Sequence, residues 1–290
     1  MVTVRIKRNS LSDSIFGLPL IVILAAFFFL PIIILAMLSF GPAQTLGWPS
    51  FTSMSLANYL YIFRTPFYIS AIVRTISLAL EITLVSLVIG YPTAFIISKS
   101  KYREVVTVLL IVPMFVSILV LQYGWMIILG SNGVLNNLLI DSGLIKSPLR
   151  ILFTYNGEVV GGIHFVLPYV ILALLTVLAN IDETVVEASQ NLGASGWRTF
   201  VSVIFPLSSP GIIAAVSISL SLSTSLFVVP ALLGGDANQV LSTAIYQAAG
   251  FSQWGIASAT AVVTSLINMG IVVVFFLFAL RLSKHMGIRS

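Results

Sequence analysis

The chain has 290 residues, of which 58% are apolar and only 8% are Asp, Glu, Lys or Arg, against roughly 25% charged in an ordinary soluble domain. With a mean hydropathy of +1.09, that balance excludes a water-soluble globule and puts the chain among polytopic membrane proteins. The absence of cysteine excludes a disulfide framework, thiolate chemistry and cysteine-ligated metal; no metal site is expected. The net charge of +5 reads as cytoplasmic flanking charge and not as a nucleic-acid surface.

Apolar runs long enough to cross a bilayer fall at about 14–40, 70–98, 105–129, 159–180, 209–232 and 256–280. They are too long for barrel strands, and backbone in lipid must satisfy its own hydrogen bonds. The expected fold is therefore an all-α polytopic membrane protein, a single transmembrane domain over 1–290 with six transmembrane helices. The first run follows Arg5, Lys7 and Arg8 but is too long for a secretory h-region, so it reads as a retained span. With a cytoplasmic N-terminus, the inside segments hold Arg5, Lys7, Arg8, Lys99, Lys101, Arg103, Arg198, Arg281, Lys284 and Arg289. The outside segments hold only Arg64, Lys146 and Arg150. Both termini are therefore expected in the cytoplasm. The outer segments, about 41–69 and 130–158, are rich in turn residues suited to re-entrant or capping structure, with Gly41, Pro42, Gly47 and Pro49 early and Asn132, Gly133, Asn136 and Asn137 later.

Within the second span, Glu81 lies roughly 16 Å from the outer end at 1.5 Å per residue. A charge there costs on the order of 2.5–3.5 kcal/mol and is expected to face protein or water. It is the only carboxylate across the six expected spans, and its readings are an internal or intersubunit partnership or the attraction of a cationic substrate. Arg74, seven residues earlier on the same helix face, is expected to snorkel to the outer surface. Gln122 and Trp125, with Tyr123, sit in the outer half of the third span, either to contact cargo or as interfacial anchors.

The segment between the fourth and fifth spans breaks the basic pattern of the inside segments, carrying Asp182, Glu183 and Glu187 against one Arg198. It reads as two short helices around a hinge. Thr184 followed by Glu187 predicts a capping box at the first helix start, and Gly193 a left-handed turn that ends it. Residues 197–204 predict a second helix with Trp197, Phe200, Val201 and Ile204 on one apolar face, stopped by Pro206. The product is an elbow over about 181–207 on the cytoplasmic surface. In the fifth span, Ser217, Ser221, Thr224 and Ser225 form a stripe at helical spacing, read as close helix packing or as a hydroxyl-lined path. Asp236, after Gly234 and Gly235, is a candidate outer-mouth residue.

The elbow's text, Glu187-Ala188-Ser189, then Gly193, then Val203-x-Phe205-Pro206, resembles the EAA loop of ABC importer permeases, with Ser189, Val203 and Phe205 as small or apolar departures from that pattern. Asn58-Tyr59, Tyr91-Pro92-Thr93-Ala94, Tyr123-Gly124-Trp125, Gly133-Val134-Leu135-Asn136 and Pro230-Ala231-Leu232-Leu233-Gly234-Gly235 are similar to the spermidine/putrescine type of these permeases. The resemblance implies a non-catalytic half-channel of a bacterial inner membrane, passing a polyamine or related small amine. Its implied partners are a second permease subunit, a heterodimer before a homodimer, two ATP-binding cassette subunits and an extracytoplasmic solute-binding protein. Thr184, Glu187, Ala188, Ser189, Gly193, Trp197 and Pro206 would couple this chain to the ATPase, which would hold ATP and Mg. The residues agree, since no Gly-x-x-x-x-Gly-Lys-[Ser/Thr] phosphate loop occurs anywhere, so no cofactor is expected in this chain. An amphipathic helix lying on lipid would be Lys/Arg-rich, which the elbow is not. The rival readings are a secondary transporter or channel, and an intramembrane serine protease built on Gly193-Ala194-Ser195-Gly196. The second needs a histidine beside Ser195, and the expected topology keeps His164 and His285 away from it.

Overall fold

In lipid the backbone has no hydrogen-bonding partner but itself, and all regular structure among the described residues is helical. A computed structural model describes residues 10–42, 54–235 and 239–285. The helices are α1 (Ser10–Ser39), α2 (Ala57–Arg64), α3 (Pro66–Ser98), α4 (Arg103–Ile111), α5 (Ile118–Leu129), α6 (Val134–Asp141), α7 (Tyr155–Leu178), α8 (Glu183–Asn191), α9 (Gly196–Thr199), α10 (Phe205–Leu207), α11 (Ser209–Thr224), α12 (Leu241–Gly250) and α13 (Trp254–His285). Five segments are long and apolar enough to cross a membrane, namely Val22–Ser39, Pro66–Ser98, Ile118–Asp141, Tyr155–Leu178 and Trp254–Ala279. A sixth results if Gly196–Leu207 and Ser209–Thr224, bent by 62° at their junction, count as one span.

Two expected spans are corrected. The run 105–129 is not one helix, because Pro113 has no N–H to continue the ladder; it sits in a 3₁₀ turn, Val112–Phe115, after which Val116 and Ser117 are extended. α4 is thereby a separate helix with no buried residue, and the crossing segment begins at Ile118 and runs on to Asp141. The fifth span ends at Thr224 instead of near 232, and Pro230–Gly234 forms a π turn ahead of α12. Apolar composition alone does not register these backbone breaks.

α3, α7 and α11 form the centre of the bundle, around Leu78, Ile82, Val166, Val170, Leu174 and Ala215. Dispersion between packed surfaces holds helices together in lipid, so small residues at the crossings count. Gly90 of α3 lies under Val170, where a Cβ would come within 2.8 Å of Cγ1, and Gly162 of α7 lies under Ile82. The Ser219 hydroxyl donates to Thr83 Oγ1 at 2.8 Å between α11 and α3. The Leu241 N–H donates to Thr75 Oγ1 at 2.9 Å, anchoring the start of α12 on α3.

A second cluster, Ile62, Tyr68, Ala244, Ala248, Ile256 and Ala257, joins α2, the start of α3, α12 and α13 at the end of the bundle away from the elbow. There the Asn58 amide donates to the carbonyls of Ser39 and Gly41 at 2.9 and 2.8 Å, closing the end of α1. Asn136 of α6 does the same for the segments on either side of that helix, donating to the Gly130 and Leu149 carbonyls and accepting from the Leu149 N–H at 2.7 Å. Of the residues read as turn and capping chemistry, Asn136 thus ties its neighbouring segments together, while Gly47 and Pro49 lie outside the described residues. Gly90→Ile is expected to lower the detergent-solubilised protein's stability by about 1–3 kcal/mol through overpacking, whereas Gly124→Ala, with nothing within 4 Å of its added Cβ, leaves it unchanged. Thermal unfolding of the two variants checks this.

Candidate functional site

Ser70, Arg74, Ser77 and Glu81 follow one another along α3 at intervals of four, three and four residues, which aligns them on one face. Ser70, Ser77 and Glu81 are exposed. The upper part of this face opens on a cavity of about 670 Å³ whose wall includes Phe67, Ser70, Arg74, Ser77, Tyr155 and Gln239. Glu81 and Ser77 lie beside the Tyr155 phenol. A polar stripe of this kind inside a membrane-spanning helix is stable only against protein or water.

Arg74 is not a snorkelling side chain. Its Nη2 donates to both carboxylate oxygens of Glu158 at 3.2 Å, and its guanidinium carbon lies 5.0 Å over the Tyr155 ring. The Glu158 side chain has no exposed surface and that of Arg74 is 22% exposed. Gly234, at the end of the π turn, lies against the same carboxylate, where any Cβ would collide with Oε1. The pair therefore joins α3, α7 and the Pro230–Gly234 turn. It also corrects the reading of Glu81 as the sole carboxylate: α7 begins at Tyr155, four residues before the expected span, and takes Glu158 inside. The available signal was Thr154, a residue type favoured just ahead of a helix start.

The other expected pathway residues are dispersed. Gln122 is fully buried, with neither amide atom hydrogen-bonded, and packs against Gly161 at a point where a Cβ would lie 2.6 Å from Oε1. It faces the interior of the bundle and not the polar cavity. Trp125 is half-buried, edge-on to His164 at 5.5 Å. Ser217 and Ser221 are half-buried and Ser225 is exposed, but Thr224 is buried and donates to its own helix at Leu220. The four do not line one surface. Asp236 lies outside the described residues.

The elbow keeps its expected outline with two local corrections. Asp182, not Thr184, caps α8, accepting from the Thr184 N–H at 2.9 Å; that hydrogen bond holds the Asp182 carboxyl below its usual pKa. Asp at this position reaches the free amides of the first turn as well as Thr does. Gly193 adopts φ +85°, a conformation that favours glycine, and reverses the chain into α9. Pro206 does not stop the second helix. A π turn at Phe200–Ile204 lets the Phe205 N–H reach Phe200 O, and α10 carries on to Leu207 before the bend at Ser208. The Tyr91 hydroxyl lies 2.8 Å from that of Ser208, and the Tyr91 and Phe95 rings pack on Phe200 at 5.9 Å. Ser189 and Thr199 meet at 3.2 Å between the two limbs. Glu187, Ala188, Leu192 and Trp197 remain exposed, Leu192 at 89% and Trp197 at 75%. Ser195 caps α9 by accepting from the Arg198 N–H, a structural use of that serine.

A short-limbed elbow joined to a bundle of membrane-crossing helices is the shape of an importer permease. The model of the binding-protein-dependent transport system inner membrane component family matches residues 86–286, and the chain belongs to that family. It is a non-catalytic permease subunit of an ABC importer and a multi-pass inner-membrane protein. It is 33% identical over 264 residues to the spermidine/putrescine transport system permease protein PotB of Escherichia coli (strain K12), across 89% of this chain and 94% of that one. It is 28% identical over 231 residues to the inner membrane ABC transporter permease protein YdcU of the same organism, across 70% and 73%. A chain of a bacterial alginate ABC transporter, solved with an alginate pentasaccharide-bound periplasmic protein, shares the fold with a TM-score of 0.76 at 22% identity, covering 96% of this chain and 97% of that one. Family membership sets aside the protease and secondary-transporter readings.

The polar face of α3 is expected to be water-accessible. In a chain without cysteine, Ser70→Cys and Ser77→Cys should react with a membrane-impermeant thiol reagent. Leu80→Cys, on the wall of an apolar groove between α3, α11 and α13, should not; equal labelling of all three would contradict the assignment.

Proposed function

We propose that this subunit forms half of the translocation path for a small cationic amine of the polyamine class, handed over by an extracytoplasmic binding protein. A second permease subunit, a different chain before an identical one, supplies the other half. The elbow over 181–207 docks on an ATP-binding cassette subunit that holds ATP and Mg, while this chain holds neither. Both termini and the elbow face the cytoplasm, in keeping with the asymmetry of basic residues.

The observation that carries the coupling role is the exposed end of the elbow. Leu192 and Trp197 flank Gly193 with most of their surface uncovered, and apolar residues so placed mark a partner surface. Behind them the Trp197 ring stacks on Phe200 at 5.6 Å. Phe200 in turn packs on Tyr91 and Phe95 of α3, so a push on the elbow reaches a central helix through packed rings. For the cargo, support comes from relatives named as spermidine/putrescine permeases together with the exposed Glu81 beside an aromatic ring. Carboxylates and aromatic faces attract ammonium groups.

Gly193→Val forces a β-branched residue into positive φ. It should leave expression and insertion intact and abolish substrate-stimulated ATP hydrolysis and uptake by the reconstituted complex; wild-type coupling in this variant would refute the elbow's role. Glu81→Gln should lower uptake of spermidine about tenfold, the scale of one lost charge-assisted bond, without changing the binding protein's affinity. Unchanged uptake would return Glu81 to a structural role.

A further inference from the structure

The Glu158 carboxylate and the Tyr155 ring make the kind of environment that holds an alkylammonium or guanidinium ion, and Arg74 occupies it. Three observations describe how Arg74 is held. Only Nη2 engages the carboxylate, at 3.2 Å to each oxygen, longer than the ~2.7–2.9 Å of tight charge-assisted bonds and without the two-nitrogen fork that arginine forms at its firmest sites. The buried Nε has no acceptor. The side chain retains 22% exposure, on the wall of a cavity of about 670 Å³, a volume typical of small-molecule sites. Further along the same face of α3, Glu81 is exposed and forms no ion pair among the described residues.

We propose that Arg74 is a resident competitor cation: it fills the Glu158–Tyr155 site from within the chain, so that an ammonium group of the cargo passing along this face of α3 meets Glu81 alone and is bound weakly. The inference rests on the reading of the cargo as a cationic amine. Two carboxylates and an aromatic face open to one polyamine would hold it firmly, and a conduit must release what it receives. Tethering a guanidinium over one carboxylate leaves a single attractive charge for the cargo.

The test uses the purified complex of both permeases and the ATPase, without binding protein, and spermidine as the probe. Arg74→Gln should bind spermidine at least about tenfold more tightly than wild type and import it more slowly in the presence of the binding protein. Arg74→Gln/Glu158→Gln should lose the gain in affinity. An assembled Arg74→Gln complex that binds no more tightly than wild type overturns the proposal. Should that variant fail to assemble, uptake by Glu158→Gln and by the double variant decides. The first should fall at least about tenfold, because the unanchored guanidinium repels the cargo, and the double variant should recover; equal uptake by the two overturns the proposal. Wild-type complex with its binding protein that imports no amine would instead remove the cargo reading on which it rests.

Discussion

A carboxylate without exposed surface, placed in the first turn of a membrane-crossing helix, constrains the half of the bundle away from the elbow. Removing one partner of a buried ion pair costs on the order of 3–5 kcal/mol, so wherever Glu158 lies a cation must follow. Arg74 of α3 is that cation. Gly234 is the residue that leaves room for the carboxylate, which ties the Pro230–Gly234 turn to the same point. Three segments distant in sequence are thus brought to one place by a single charge that lipid will not accept. The polar face of α3 and the cavity beside it are arranged around that point.

At the other end, the governing problem is how a helix can change direction without exposing its amides. Asp182 and Ser195 satisfy the first-turn amides of the two limbs, and Gly193 makes the reversal between them. The π turn before Pro206 shifts the hydrogen-bond register so that the helix continues past a residue lacking an N–H. The same turn leaves Phe200 half-buried against Tyr91 and Phe95 while Trp197 stays outside. The elbow therefore presents an apolar tip and is braced from behind by aromatic packing, a geometry that transmits force better than a flexible loop would.

Much of this was legible in the residues alone. The first, second, fourth and sixth spans correspond to α1, α3, α7 and α13, since long apolar runs have few alternatives in a bilayer. Gly193 was readable because only a positive φ explains a glycine between two short helices. Hydropathy makes the third and fifth spans too long, because it counts side chains and does not register that the backbone ladder breaks at Pro113 and again after Thr224. Spacing alone does not choose between Thr184 and Asp182 as the cap of α8, since both residue types perform it, and the structure gives it to Asp182. The polarity of Gln122 suggests the pathway, yet its side chain points at Gly161 inside the bundle.

By itself, the sequence determined that the chain lies in a membrane, that it is helical, and where its elbow turns. All three follow from local composition and from residues within a few positions of one another. Only the tertiary structure decided that Arg74 meets Glu158, 84 residues away, that Ser219 bonds Thr83, 136 residues away, and that Ser70, Ser77 and Glu81 share an open face while Gln122 does not. Those outcomes depend on which helix packs against which and at what rotation. That is set by the sum of glycine contacts, ring packing and one buried charge across the bundle, none of which is a property of any single stretch of chain.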